Sequence, residues 1–142
     1  MTTGLAIGEA GAADDEAVIG LWEACGLTRP WNDPLSDFNL ALSTDGSTVL
    51  AARVGGEVVG TIMVGFDGHR GWVYYLAVDP DAQRSGLGRA LMAAAEAWLV
   101  ARGCPKIQLM VRQDNAQALA FYEALGLTPQ PVVVLGRRLD GA

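Results

Sequence analysis

Leu76-Ala77-Val78-Asp79-Pro80-Asp81-Ala82-Gln83-Arg84-Ser85-Gly86-Leu87-Gly88-Arg89 is the stretch on which the reading of this chain turns. Three apolar residues end a strand, Pro80 breaks it, and a turn with paired glycines opens a long amphipathic helix. Backbone N–H groups at a helix start have no intrahelical partner, and the helix dipole is positive there. Gly86 and Gly88 lack Cβ atoms, so a phosphate can come close to the backbone. Arg84 and Arg89 flank the turn and can add charge-assisted hydrogen bonds, while Ser85 and Leu87 complete it. The stretch reads as a pyrophosphate cradle.

Working outward, the helix that follows spans Leu87 to Val100, with Leu87, Leu91, Ala94 and Trp98 on one face and Gly103 just past its end. Upstream, Ser47 to Val54 and Glu57 to Phe66 are strand-like runs joined at Gly55-Gly56, a hairpin signal. Asp67-Gly68 makes the next turn into a third run, Gly71 to Val78, so the three form an antiparallel meander. Before them, Asp14 to Cys25 has helical spacing, Leu35 to Leu42 reads as a short second helix, and Thr3 to Ile7 as a first strand. Downstream, Lys106 to Val111 is a strand, Ala116 to Leu125 a helix that starts at Asp114-Asn115 and stops at Gly126, and Val132 to Leu139 a closing strand. The order is helices, a meander, then strand–helix–strand–helix–strand, which makes a mixed α/β sheet.

The 142 residues fit one domain, 1–142, and 51% of them are apolar, enough for a sizeable core. Net charge is −6, and the basic residues are scattered, so the chain opposes nucleic acid and any anion site must be local. No apolar run is long enough for a transmembrane helix, and no signal peptide is visible, so no membrane partner and a cytoplasmic location are expected. Cys25 and Cys104 stand far apart, as in a reduced intracellular protein. His69 is the sole histidine, which excludes a multi-histidine metal site. A Walker A loop needs Gly-Lys-Ser/Thr, and Lys106 is the only lysine. A dinucleotide fingerprint needs glycine where Leu91 stands. No Gly-x-Ser-x-Gly elbow supports a hydrolase.

What remains is a match. Gln83-x-x-Gly86-x-Gly88 after Leu76-Ala77-Val78 resembles the acetyl-CoA motif of the GNAT superfamily of N-acetyltransferases. Asn115 followed by Phe121-Tyr122-Glu123-Ala124-Leu125-Gly126 resembles that family's second signature. The likeness covers roughly residues 47–139, and with Leu27-Thr28-Arg29-Pro30-Trp31-Asn32-Asp33-Pro34 the whole chain resembles a bacterial branch of the superfamily. The resemblance implies a mostly antiparallel sheet of roughly six to seven strands with about four helices, splayed between the strand at 71–78 and the strand at 106–111. It implies an acetyltransferase that moves the acetyl group of acetyl-CoA, without a metal, to an amine of a small molecule or a protein. Family members are often dimers, so it also allows a homodimer. A non-catalytic acyl-CoA-binding module on the same fold is the alternative.

Roles follow from the same resemblance. The main chain of Leu76, Ala77 and Val78 would bind the pantetheine arm, and an N–H near Leu76 would polarise the thioester carbonyl. Arg84, Ser85, Gly86, Leu87, Gly88 and Arg89 would wrap the pyrophosphate, Asn115 would contact the cofactor arm, and Tyr122 would protonate the departing thiolate. A tyrosine of pKa near 10 stays protonated at pH 7, yet can donate to a thiolate whose thiol has a pKa of about 8.5. Family bases have no counterpart here, since Met110, Trp72 and Tyr74 stand at those positions. Direct attack by an already neutral amine, or deprotonation through water, is therefore expected, with Asp33, Asp37 and Glu23 as carboxylates of the first two helices able to reach the site. Structural readings compete at several residues. Tyr122 suits a buried stripe with Leu119 and Leu125, Asn115 suits a helix cap, His69 a solvated hairpin, and the tryptophans the core, with Trp31 in a loop able to line a pocket.

Overall fold

The computed structural model describes residues 4–141, and these divide into two compact units, Met1–Leu109 (described from Gly4) and Met110–Ala142 (described to Gly141). The first unit carries β1 (Leu5–Glu9), α1 (Asp15–Ala24), α2 (Pro34–Ser43), β2 (Ser47–Val54), β3 (Glu57–Phe66), β4 (Gly71–Val78), α3 (Leu87–Ala101) and β5 (Ile107–Gln108). The second carries α4 (Ala116–Ala124). The expected first strand begins two residues later than its predicted start, and Thr3 lies outside the described residues.

The sheet order is β1-β2-β3-β4-β5, antiparallel as far as β4 and parallel between β4 and β5. The β2–β3 hairpin closes over Gly55 and Gly56 at φ 59° and 85°, the backbone that a two-residue turn of this hand requires. Residues of β2 alternate between two covered faces. Val49 and Ala51 join Val18, Leu21, Trp22, Phe38 and Ala41 in the core beneath α1 and α2. On the other face α3 buries Leu87, Leu91, Met92, Ala95 and Leu99. Gly60 of β3 lets α3 come close, for a Cβ there would lie 2.8 Å from Leu91 Cδ1 and 3.2 Å from both Leu87 Cδ2 and the Ala77 carbonyl.

Two expectations about strands are corrected. The strand predicted over 106–111 pairs only at Gly71–Ile107 and Trp72–Gln108, and the chain leaves the sheet thereafter. The strand predicted over Val132–Leu139 does not form among the described residues; Val132, Val133, Val134, Leu135 and Leu139 are exposed. The sheet therefore has five strands among the described residues instead of the six to seven expected. A β-branched run supplies propensity, but a strand needs a hydrogen-bonded neighbour. No helix is long and apolar enough to cross a membrane among the described residues.

Candidate active site

The pairing of β4 with β5 stops at Trp72, so among the described residues β4 from Val73 to Val78 has no strand registered on that side. A 3-10 turn, Pro80–Ala82, then carries the chain to α3, with the Asp79 carboxylate accepting from the Asp81 N–H at 2.9 Å. Gly86 stands at the N-cap of α3 with φ 82°, and no side chain caps the helix. A Cβ at Gly86 would meet nothing within 4 Å, so the space over these N–H groups is open. Arg84 takes a left-handed φ of 65°, unusual for a residue with a side chain. Arg84, Ser85, Gly86 and Arg89 are exposed, Leu87 is buried, and Gly88 is half-buried. The predicted cradle is thus a helix start with its N–H donors open and two arginines beside it. Leu87 turns its side chain into the core beneath α3.

Just before this turn, β4 carries a bulge. Met63 pairs with Tyr74 and Thr61 with Ala77, so Tyr75 and Leu76 share Ile62 as their opposite number. Tyr75 has φ 52°, a costly conformation for a bulky residue. It is held from three sides. Its ring stacks on Trp22, centroids 3.9 Å apart and planes 11° from parallel. Its hydroxyl donates to Asp37 Oδ2 at 2.6 Å, and its carbonyl accepts from Thr61 Oγ1 at 3.2 Å. Trp22 Nε1 donates in turn to Thr61 Oγ1 at 3.0 Å, and Phe38 meets the Trp22 ring edge-on. Burial, then the hydrogen bond to Asp37 and its charge, push the Tyr75 phenol far above its ordinary pKa, with Arg29 opposing weakly.

In the second unit Asn115 caps α4, its Oδ1 accepting from the Ala118 N–H at 3.0 Å. The capping reading of Asn115 holds, and it occupies the side-chain oxygen alone. Tyr122 lies seven positions on, about two helical turns, so both residues lie toward one side of α4. Tyr122 is half-buried against Phe121, and burial raises its pKa. α4 has no fully buried residue, and Leu119 is exposed, so the stripe expected through Leu119, Tyr122 and Leu125 is not a core stripe.

The other singled-out residues sort plainly. His69 is exposed at the β3–β4 turn, where its N–H and that of Arg70 both donate to Asp67 Oδ1. Trp72 Nε1 donates to Asp67 Oδ2 at 3.3 Å, and the Tyr74 phenol is raised by burial and by the Asp67 charge. Of the tryptophans only Trp22 is core; Trp31 is 54% exposed, and Trp98 lies under the Arg102 guanidinium with its indole N–H shielded. Cys25 and Cys104 are free thiols. Among the described residues no group of three or more His, Cys, Asp or Glu is placed to hold a metal. Sequence reasoning missed Tyr75, Thr61 and the site role of Trp22, and it had Asp37 as a candidate base instead of the partner of the Tyr75 phenol. The only visible signal was Tyr75 adjoining Leu76, because its partners lie 14 to 38 positions or more away.

Comparison with known proteins gives the lineage. The family model described as the acetyltransferase (GNAT) family matches residues 15–127. A curated acetyltransferase of Pectobacterium atrosepticum is 51% identical over 126 residues, 89% of each chain. Among solved structures, the aminoglycoside acetyltransferase AAC(6')-Iy in complex with a CoA bisubstrate analogue has a TM-score of 0.80 at 19% identity, over 94% of this chain and 97% of its own. The ribosomal-protein-S18-alanine N-acetyltransferase from Escherichia coli has a TM-score of 0.75 at 28% identity, over 86% of this chain and 76% of its own. With the family model spanning most of its length and a relative at such identity, the chain belongs to the GNAT family of acetyltransferases.

Proposed function

We propose that this acetyltransferase carries the acetyl group of acetyl-CoA to a primary amine of a small molecule or a protein, by direct attack of the neutral amine. The observation that carries the reading is the uncapped start of α3 at Gly86, open above and flanked by Arg84 and Arg89 in a chain of net charge −6. Those residues fit a pyrophosphate: donors converge, no Cβ intrudes, and neither arginine is spent on an ion pair among the described residues. Acetyl-CoA, when bound, supplies an activated acyl group on a thiol leaving group.

The residues of the chain do the rest in this reading. The main chain of Leu76, Ala77 and Val78, along the β4 edge that lacks a registered strand, binds the pantetheine amides. The Leu76 N–H donates to the thioester oxygen as negative charge develops there. The Asn115 side-chain amide keeps its N–H donors for the cofactor arm while its oxygen caps α4. Tyr122 holds the proton that the departing thiolate takes, and its raised pKa keeps that proton in place at neutral pH. Amine acceptors of two kinds are named for relatives, aminoglycosides and a protein alanine.

The test is isothermal calorimetry with acetyl-CoA, followed by CoA release with a panel of amines. Binding that is lost in Gly86→Asp, together with CoA release on some amine, supports the reading. Binding without release on any amine supports an acyl-CoA-binding module instead, and wild-type-like binding in Gly86→Asp misplaces the cradle.

A further inference from the structure

Tyr75 is an aromatic residue in a left-handed backbone conformation, inside a bulge, one residue before Leu76. Such conformations persist where the surroundings over-determine them. Three contacts do so here, and two of the groups, Trp22 and Asp37, come from outside the β3–β4 strand pair. Trp22 of α1 stacks on the ring, Asp37 of α2 takes the hydroxyl proton in a 2.6 Å hydrogen bond, and Thr61 of β3 holds the carbonyl while itself held by Trp22. Two helices thus grip one residue whose ψ sets the direction of the next peptide N–H.

We infer that Asp37 and Trp22 are positioning residues that act through Tyr75, fixing the bulge so that the Leu76 N–H stays aimed along the β4 edge. The inference rests on the acetyl-CoA reading of that edge. Tyr75 touches no reacting atom in it. Its hydroxyl is occupied by Asp37 and its ring by Trp22, so its contribution is the backbone it imposes. The neighbouring charged group is Arg29, whose guanidinium donates to the Gly26 and Thr28 carbonyls. The arrangement makes α2 a lever on the reaction, because any movement of α2 that pulls Asp37 from the phenol loosens the donor.

The experiment uses the full chain and acetyl-CoA as the probe. Amide NMR is followed at Leu76 and at residues 84–88 during titration, and kcat and KM for acetyl-CoA are measured for wild type, Tyr75→Phe, Asp37→Ala and Asp37→Asn. Tyr75→Phe keeps the stack on Trp22 and so remains folded if Asp37→Ala does not. The expected result for Tyr75→Phe and Asp37→Ala is an unchanged response at 84–88 and an unchanged KM. Their Leu76 response should be less than about half that of wild type, and kcat lower by about 10-fold or more, as a misaimed oxyanion donor demands. Asp37→Asn, whose amide oxygen still accepts from the phenol, should return kcat close to wild type. A wild-type Leu76 response and kcat in Tyr75→Phe overturns the inference alone. So does an Asp37→Asn that is as slow as Asp37→Ala and has lost an acidic inflection from its pH profile, which would make Asp37 a base. No response to acetyl-CoA anywhere in the wild-type spectrum overturns the cofactor reading, and this one with it.

Discussion

Tyr122 and Asp14 show how a residue's surroundings set its proton. Burial raises the Tyr122 phenol, so as the proposed acid it stays loaded well beyond neutrality, and its alkaline loss of activity should fall above about pH 10. Tyr122→Phe should keep the fold and the affinity for acetyl-CoA yet lower turnover by roughly 10²-fold or more. Steady-state kinetics with a good acceptor decides, and unchanged turnover removes Tyr122 from the mechanism. Asp14 is the opposite case. The Gly11 N–H first, then the Arg53 guanidinium at 2.7 Å, hold its carboxyl below the ordinary range. A depressed folded pKa gives stability that is present above the unfolded value and lost as pH falls through the folded one. Asp14→Asn should therefore cost roughly 1 kcal/mol at pH 7, a small value because both side chains are partly exposed. The gap from wild type should close below about pH 4 in thermal melts, and a gap that stays constant to pH 2 would deny the linkage.

At the scale of elements, the meander was legible to the residue. Ser47–Val54, Glu57–Phe66 and Gly71–Val78 begin and end as read, because glycine turns punctuate them and the apolar runs between are buried on both faces. The strands that failed lacked a neighbour, and pairing is a tertiary fact that Val132-Val133-Val134 cannot announce by itself. The turn from Arg84 to Arg89 was legible for the opposite reason, since a helix start with glycines needs only its own chain. The grip on Tyr75 was not, because Asp37 lies 38 positions upstream. Two glycine substitutions separate these kinds of constraint. Gly86→Asp meets open space, so it should cost only the strain of a left-handed residue, about 1–2 kcal/mol, while abolishing acetyl-CoA binding by placing a carboxylate where phosphate belongs. Gly60→Val should do the reverse. Its side chain would press on Leu91, Leu87 and the Ala77 carbonyl, destabilising by roughly 1–3 kcal/mol. Melting and calorimetry on both variants check the pair, and a Gly60→Val that melts with wild type would show that α3 can shift away.

For the molecule as a whole, the open question is what removes the proton from the acceptor amine. The family's base positions hold Met110, Trp72 and Tyr74, and the structure gives none of them basic character: Met110 is 51% exposed, the Trp72 indole N–H donates to Asp67, and the Tyr74 phenol is raised. Two carboxylates at the start of α2 are also engaged. Asp33 accepts from the Leu35 N–H and the Ser36 hydroxyl at the start of α2, and Asp37 accepts from Tyr75. His69 sits exposed on the turn between β3 and β4, where its backbone N–H donates to Asp67 Oδ1. The enzyme should then depend on amines that are already partly neutral. An α-amino group of pKa near 8 is about 10% neutral at pH 7, whereas a lysine amine near 10.4 is under about 0.1% neutral, a difference of roughly two and a half powers of ten in reactive species. The rate should rise with pH and level off near the acceptor's own pKa, nearly unchanged in His69→Ala. The check is a pH profile of kcat/KM for two acceptors of different pKa. Two plateaus that track the two amines support direct attack. A shared inflection near pH 6 to 7, abolished in His69→Ala, Asp33→Asn, Asp37→Asn or Glu23→Gln, would identify a base in the protein and end the proposal, because only a group of the enzyme can titrate at one pH whatever amine is offered.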